Sequence, residues 1–191
     1  MKRAVAYLAA VAGAVGLGGC GDMLKDATIT VPAPFTVSVD MPQALSGTTL
    51  TFSKTLDPAS TSAFQNNKSK LKDATLTDIK LKIDQLKDGN LATKINGATV
   101  TVEDASTHEK HTYALADQIA ISAGAERTFT TFPETGAAAG QAKDITTFVS
   151  GILKRESGNS FTISIDGTTD QGPIFLQLTL TLDVDMTVSA T

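Results

Sequence analysis

The chain has two histidines, and their spacing is the first arrangement in it that could do chemistry. His108 and His111 stand three residues apart in the segment His108-Glu109-Lys110-His111. Two imidazoles at this spacing can share a metal ion, with a carboxylate from Glu103, Asp104 or Glu109 as a further ligand. A zinc site, however, needs three or four ligands held in place by surrounding hydrogen bonds. The simpler prediction is a solvated hairpin loop, with His108 and His111 as metal ligands in the alternative.

A second polar segment has the acidic and glycine content of a calcium-binding loop. It runs Asp166-Gly167-Thr168-Thr169-Asp170-Gln171-Gly172. The segment lacks the alternating ligands and the closing bidentate glutamate of an EF-hand. We therefore predict a turn between the last two strands, with a weak cation site as the alternative.

The common motifs of enzyme active sites are absent from the sequence. Neither the Gly-x-Ser-x-Gly nucleophile elbow nor the phosphate-binding Gly-x-x-x-x-Gly-Lys loop occurs. Aspartate and glutamate total 20, so a pair of carboxylates indicates catalysis only if its geometry is known. We predict that the protein is not an enzyme and uses no cofactor.

Cys20 is the only cysteine, and the residues before it follow the plan of a secretory signal. Lys2 and Arg3 precede an apolar run over 4–19, and these 16 residues fall short of the about 20 that span a membrane. The stretch resembles the type II signal peptide of bacterial lipoprotein precursors, with the lipobox Leu17-Gly18-Gly19-Cys20. The alternative is an ordinary secretory leader in which Cys20 happens to lie near the cleavage site.

The resemblance implies cleavage before Cys20 and acyl chains on its thiol and amino groups. Two or more chains hold a protein stably on a membrane, and the modified cysteine leaves no thiol for catalysis, metal binding or a disulfide. In lipoproteins of this type, an aspartate directly after the cysteine resembles a signal that retains the protein in the inner membrane. Gly21 occupies that place here, so the resemblance implies the outer membrane, facing the periplasm.

These features divide the chain into a cleaved signal peptide at 1–19, an anchor and short tether at 20–27, and one domain at 28–191. Removing 19 of the 191 residues leaves 172, and the net charge changes from −4 to −6 as Lys2 and Arg3 leave. A domain of this size buries about 70% of its unfolded surface without a disulfide. The acidic balance argues against nucleic acid as a partner. The predicted partners are membrane lipid, through acylated Cys20, and an unidentified envelope protein.

Apolar and polar residues alternate through most of the mature chain. From 174 to 188 every even position is apolar, which is typical of an antiparallel strand with one buried face. Fifteen residues make a strand about 50 Å long, so we predict a bend, a bulge or a passage between two sheets. Further strands are predicted at 28–40, 48–54, 78–84, 99–103, 111–121, 127–132 and 160–166. Turns are predicted at Asp88-Gly89, Asn96-Gly97, Ser157-Gly158-Asn159 and Asp166-Gly167.

Two segments predict helices instead. Residues 142–156 carry an apolar stripe at helical spacing, from Ile145 to Leu153. Residues 58–71 begin with a capping Asp57 and with Pro58 at the first helical position.

The order of strand, proline, helix and strand occurs twice, at 48–84 and at 127–166. The second strands end in Ile83-Asp84 and Ile165-Asp166, 82 residues apart. We predict two similar halves packed as one pseudo-symmetric β-sandwich, each with a helix crossing between strands. The alternative is convergent patterning.

The mature part resembles uncharacterised all-β envelope lipoproteins. The resemblance rests on the run from Phe64 to Leu71, on Leu76-Thr77-Asp78-Ile79-Lys80-Leu81 and on the ending of the chain. It implies a β-sandwich at a cell envelope. Together with the residue patterns, we predict a mainly β protein, an antiparallel β-sandwich with two short crossing helices at about 58–71 and 142–156. We predict an outer-membrane-anchored lipoprotein that acts as a non-enzymatic binding or structural module at the cell envelope. The alternative is a carrier of lipid or another hydrophobic ligand, using an apolar groove between sheet and helix.

Overall fold

The computed structural model describes residues 27–40, 47–136 and 142–190, with all their side chains except those of residues 116 and 117. The predicted signal peptide and Cys20 lie outside the described residues, as does most of the tether.

Within the described ranges, nine antiparallel strands form two sheets. The strands are β1 (Thr28–Pro32), β2 (Phe35–Asp40), β3 (Thr49–Leu56), β4 (Leu71–Leu86), β5 (Lys94–Asp104), β6 (Lys110–Ala120), β7 (Glu126–Phe129), β8 (Phe161–Thr169) and β9 (Leu176–Ser189). In the first sheet the order is β1-β9-β4-β7, with β2 following β1 along the same side of β9. In the second sheet the order is β3-β8-β5-β6.

This strand order is that of a jelly roll. β1 and β2 act as one edge strand interrupted at Ala33 and Pro34, which leaves eight strand positions in two four-position sheets. The chain changes sheet at every connection except the hairpin between β5 and β6. Eight strands in two packed sheets with such crossings define the double Greek key of a jelly roll. The predicted antiparallel β-sandwich is confirmed.

The strand order is also pseudo-symmetric. We count β1 and β2 as one strand and match it with β6, and we match β3 with β7, β4 with β8 and β5 with β9. Exchanging every strand for its match converts the order of the first sheet into the order of the second sheet, read from its other edge. The helix between β3 and β4 then matches the helix between β7 and β8. This is the arrangement that the two predicted halves require.

Strand β9 stays in one sheet along its whole length. The predicted irregularity lies in its partner strands instead, as a break between β1 and β2 and as register shifts in β4. Every even-numbered side chain from 174 to 188 is at most 1% exposed. Edge strand β1–β2 is broken at Ala33 and Pro34, where proline lacks a donor for the ladder. Strand β4 shifts register against β9 in three places. One of these shifts, between Leu76 and Asp78, changes the spacing of buried residues from two positions to three, between Leu76 and Ile79, which is why the sequence indicated only 78–84 of this strand.

Two of the predicted turns are wrong. Asn96-Gly97 lies within β5 and Asp166-Gly167 within β8, and the two strands are neighbours. Gly97 has a positive φ of 58° where the β5–β8 register shifts. A Cβ on Gly167 would lie 2.6 Å from Cγ2 of Ile95. These glycines therefore mark a bulge and a close approach of two strands, whereas Asp88-Gly89 does form a turn.

Both predicted helices exist but are shorter than predicted. The first consists of α1 (Ser62–Asn67) flanked by single 3-10 turns at Pro58–Ser60 and Lys68–Lys70. The second, α2, runs over Ile145–Leu153. Asp144 begins it by accepting a hydrogen bond from the Thr147 amide at 3.1 Å. Asn159 ends it, since its amide group donates to the carbonyls of Ile152, Leu153 and Arg155.

The core fills the space between the sheets and beneath the helices. Phe35 of β2 contacts Phe64 of α1 and Phe161 of β8 edge-on, with ring centroids 6.4 and 6.3 Å apart. Aromatic rings favour this geometry, and the three rings join both sheets and α1. Helix α2 lays its apolar stripe on β4.

Candidate functional site

His111 is the centre of a polar cluster at the start of β6, and both of its ring nitrogens face carboxylates. Nδ1 hydrogen-bonds to Glu134, and Nε2 lies 3.1 Å from Oε1 of Glu109. The side chains of His111 and Glu134 are 15% and 6% exposed. We call His111, Glu109, Glu134 and Lys143 the histidine cluster.

Backbone pairing brings Glu134 to His111 from 23 positions further along the chain. The segment after β7 lies along the outer edge of β6, where Glu134 forms a bridge with Tyr113. The Ala114 amide donates to the Pro133 carbonyl at 2.9 Å, and the Thr135 amide donates to the Thr112 carbonyl at 2.7 Å. The sequence did not indicate Glu134, because no strand signal covers this segment.

Lys143 completes the histidine cluster just before α2 begins. Its ammonium group pairs with Glu109, and its backbone amide donates to Oε2 of Glu134 at 2.5 Å. The Phe148 ring packs edge-on against the imidazole, with centroids 4.7 Å apart. The cluster therefore joins β6, the 133–135 segment and α2.

Next to the histidine cluster lies a buried phenol. Tyr113 is 0% exposed, and its hydroxyl has no hydrogen-bond partner in the described part of the chain. Burial raises the pKa of this phenol, and the negative charges of Glu134, Asp144 and Glu109 raise it further.

The geometry of the histidine cluster favours the imidazolium form of His111. Burial lowers the pKa of His111, but hydrogen bonds to Glu134 and Glu109 outweigh burial and raise it above the ordinary 6.5. Both ring N–H groups then donate, leaving no nitrogen lone pair for a metal or for general-base catalysis. The cluster is suited to fastening three segments together.

His108 does not join His111 in a shared site. Its side chain is 79% exposed, and its Nδ1 lies 3.0 Å from Oε1 of Glu103. Asp104, a further ligand in the alternative of a metal site, faces Arg155 instead. Across 27–40, 47–136 and 142–190, no group of three or more histidine, cysteine, aspartate or glutamate side chains is arranged to hold a metal ion.

We expect His111 to give the domain a pH-dependent stability. Because its folded pKa lies above 6.5, its contribution is fully present below pH 6.5 and is lost as pH rises through the folded pKa. His111→Gln should lower the free energy of unfolding by about 1–3 kcal/mol near pH 6, and by less at pH 9. Urea titrations across this range measure the difference, with His108→Gln as the exposed control. An equal loss at both pH values would contradict the assignment of an imidazolium.

A second polar group, buried beside the β5–β6 hairpin, joins Asp104 to Arg155. Asp104 is fully buried, and its Oδ2 lies 2.5 Å from an Nη atom of Arg155. The carboxylate also accepts hydrogen bonds from the Ser106 amide at 2.9 Å and the Thr107 hydroxyl at 2.7 Å. Hydrogen bonding from Arg155 is the main reason that the pKa of Asp104 lies well below its ordinary value. The pair fastens the hairpin to the segment that follows α2.

In the segment with the composition of a calcium-binding loop, two aspartates accept hydrogen bonds from other residues of the protein. Asp166 accepts a hydrogen bond from the Thr51 hydroxyl at 2.8 Å. Asp170 accepts from the backbone amides of Thr93 at 2.9 Å and Lys94 at 3.2 Å. Hydrogen bonds from Thr93 lower the pKa of Asp170 to about 2. The true connection between β8 and β9 begins at Asp170, because 167–169 belongs to β8.

Between sheet and helix, a depression of about 370 Å³ lies along β4 and α2, and its lining includes Asp73, Ser150 and Lys154. A more enclosed cavity of about 150 Å³ lies between the β6 and β7 edges, near Leu81, Ile83 and Ile119. Ligand pockets usually measure about 300 Å³ or more. Three larger depressions of about 370 to 500 Å³ are open to solvent and are rich in threonine and aspartate.

Comparisons with known proteins give only distant structural likenesses. No protein-family model matches the chain, and no curated protein matches it. A solved structure titled Desmodium yellow mottle tymovirus is 12% identical, covers 100% of this chain and 97% of its own, and has a TM-score of 0.36. The decameric BFDV capsid protein is 12% identical, with coverages of 84% and 99% and a TM-score of 0.38. Turnip yellow mosaic virus is 15% identical, with coverages of 86% and 96% and a TM-score of 0.32.

At such TM-scores, these likenesses support no statement about the function of this chain.

Among the helices that the structure describes, none combines the length and apolar character needed to cross a membrane.

Proposed function

We propose that the protein is a lipid-anchored, non-enzymatic binding or structural module of the cell envelope, held at the outer membrane through Cys20. The observation that carries the proposal is the closed jelly roll, whose inward side chains fill the space between the sheets. The polar groups that resemble catalytic or metal sites are engaged in internal ion pairs and hydrogen bonds. The outer surface is therefore where this protein meets its partners.

The strand register defines two ends of the jelly roll. Thr28 pairs with Ser189, and Leu71 pairs with Val188, so β1 begins where β9 ends and β4 begins. We call this the entry end. A tether of six residues, 21–26, reaches at most about 20 Å, so an anchor at Cys20 would hold the entry end near the bilayer. The opposite end would face away from it.

The opposite end carries an ordered surface for a partner. The Leu91 amide donates to the Pro173 carbonyl at 3.0 Å, and Asn90 accepts from the Phe175 amide at 3.0 Å. These bonds fix the 87–93 connection on the 170–175 connection. Leu91 is 53% exposed and, with Ile29, is one of two large apolar side chains exposed in the described ranges. An ordered loop with an exposed apolar side chain suits protein binding, since little ordering entropy is lost on contact.

Cys20→Ser tests the anchor directly. We expect the unaltered protein to fractionate with membranes of a Gram-negative host and to carry acyl chains by intact mass. The Cys20→Ser variant should lack those chains and leave the membrane fraction. Gly21→Asp should keep the acyl chains and move the protein to the inner membrane. An unacylated wild-type chain, or a Cys20→Ser chain that stays in the membrane, would overturn the proposal.

A further inference from the structure

We propose that three lysines at the entry end, Lys68, Lys70 and Lys72, bind anionic phospholipid headgroups and set the domain upright on the membrane. We call these residues the lysine edge. The inference rests on the proposed anchor and adds a second contact to it. It was not visible in the net charge, which is negative over the whole chain.

The lysine edge lies where the chain enters the fold. Lys68 and Lys70 belong to the 3-10 turn before β4, and Lys72 is the second residue of β4. Leu71, between them, pairs with Val188, while the next strand over begins with Thr28 opposite Ser189. Adjacent strands lie about 4.8 Å apart, so the start of β4 is about 10 Å from the start of β1.

The positive charges of the lysine edge have no carboxylate partner among the described residues. Lys70 and Lys72 are exposed, and none of the three lysines forms a salt bridge with a residue in the described ranges. Lys68 donates to Oδ1 of Asn159 at 2.6 Å and to the Glu156 carbonyl at 2.7 Å, which positions its charge without cancelling it. The one carboxylate next in sequence, Asp73, pairs with Lys154 at 3.3 Å.

The outer face of the first sheet carries paired charges instead. Asp78 and Asp183 are cross-strand neighbours there, and both lie within ion-pair distance of Lys80. The lysine edge has no such counter-charge in the described ranges, so an anionic bilayer attracts the lysine edge more strongly than it attracts this face. The acyl chains on Cys20 would already keep the domain at the membrane surface. A weak contact between the lysine edge and the headgroups is therefore sufficient to set the orientation of the domain, because it need not supply the affinity for the membrane. Each lysine near an anionic surface is worth about fivefold in binding, so the three together favour the upright orientation by on the order of 100-fold.

Lysine labelling in vesicles tests the proposal. The full-length protein, as produced with its anchor, is reconstituted in vesicles of phosphatidylcholine alone or mixed with phosphatidylglycerol. Acetylation of each lysine by a soluble reagent is then followed by mass spectrometry. We expect Lys70 and Lys72 to react several-fold more slowly when phosphatidylglycerol is present, and Lys82 and Lys94 to react equally in both. High salt should remove the protection, because it screens exposed charges.

A matched pair of variants strengthens the test. Lys70→Gln with Lys72→Gln and Lys82→Gln with Lys94→Gln remove the same charge from opposite ends of the jelly roll. Only the first pair should abolish the difference that phosphatidylglycerol makes, read from the labelling of Lys54 and Lys68, two of the lysines that remain near the entry end. Equal labelling in both vesicles, protection that salt does not remove, or equal effects of the two variant pairs would overturn the proposal.

Failure of the anchor is distinguished from failure of the lysine edge by flotation. If the protein does not float with phosphatidylcholine vesicles, the proposed anchor has failed. The thiol of Cys20, the only one in the chain, is then coupled to a maleimide-bearing lipid in the vesicle, and the same labelling is repeated. Protection of Lys70 and Lys72 in that state supports the lysine edge, and its absence overturns it.

Discussion

Asp104→Ala is expected to lower the free energy of unfolding by about 2–4 kcal/mol, because it removes the fully buried member of an ion pair and leaves its hydrogen-bond donors without an acceptor. The carboxylate is 0% exposed and lies 2.5 Å from Arg155. Its loss leaves the Arg155 guanidinium without its counter-ion and the Ser106 amide and Thr107 hydroxyl without their acceptor. Nη1 of Arg155 is already buried without a partner. Urea unfolding at pH 7, followed by circular dichroism, measures the loss.

Three controls define this result. Asp88→Ala removes an exposed carboxylate from a turn and should change stability by no more than about 0.5 kcal/mol. The double variant Asp104→Ala with Arg155→Ala should lose less than the sum of the two single losses, because the two side chains contact each other. Asp104→Asn keeps the shape of the side chain, and it provides the measurement if Asp104→Ala does not fold. A loss below about 1 kcal/mol for both Asp104 variants would show that the pair does not fasten the hairpin.

The same ion pair sets an acid limit on stability. The folded pKa of Asp104 lies well below the ordinary 3.8, so its contribution is present above pH 3.8. The contribution is lost as pH falls below that value toward the folded pKa. The stability difference between the wild type and Asp104→Asn should therefore narrow in acid.

Leu180→Ala is expected to lower the free energy of unfolding by about 2–5 kcal/mol, as removal of a large buried side chain does in packed cores. Leu180 is 0% exposed at the middle of β9, between Val37 of β2 and Leu81 of β4. The adjacent Thr181→Ala is the matched control. Thr181 points outward and shares an exposed hydrogen bond of 3.3 Å with Thr36, so its loss should cost at most about 1 kcal/mol.

Leu180→Ala also separates the two functions considered from the sequence. In a dry sandwich, the alanine leaves a cavity whose cost appears in the stability. In a carrier, the side chain would line space that a ligand fills, and the unliganded protein would lose little. A loss near that of Thr181→Ala would therefore favour the carrier of hydrophobic ligands.

Features that depend on neighbouring residues could be predicted from local patterns in the sequence. Alternation from 174 to 188 located β9 and its buried face, because successive side chains of a strand point to opposite sides. The apolar stripe starting at Ile145 located α2 for the same kind of local reason. Cys20 and the residues before it likewise form a local pattern, and the anchor that they indicate stays a prediction.

Contacts between distant residues could not be predicted in this way, because they depend on the fold as a whole. His111 faces Glu134 across 23 positions and Asp104 faces Arg155 across 51, because strand order and register, not sequence spacing, place them together. Asn96-Gly97 and Asp166-Gly167 look like turns locally, yet pairing of β5 with β8 makes them a bulge and a close contact. The lysine edge came to light in the same way. Its three lysines lie near the start of β1 because β1 and β4 both pair with the end of β9.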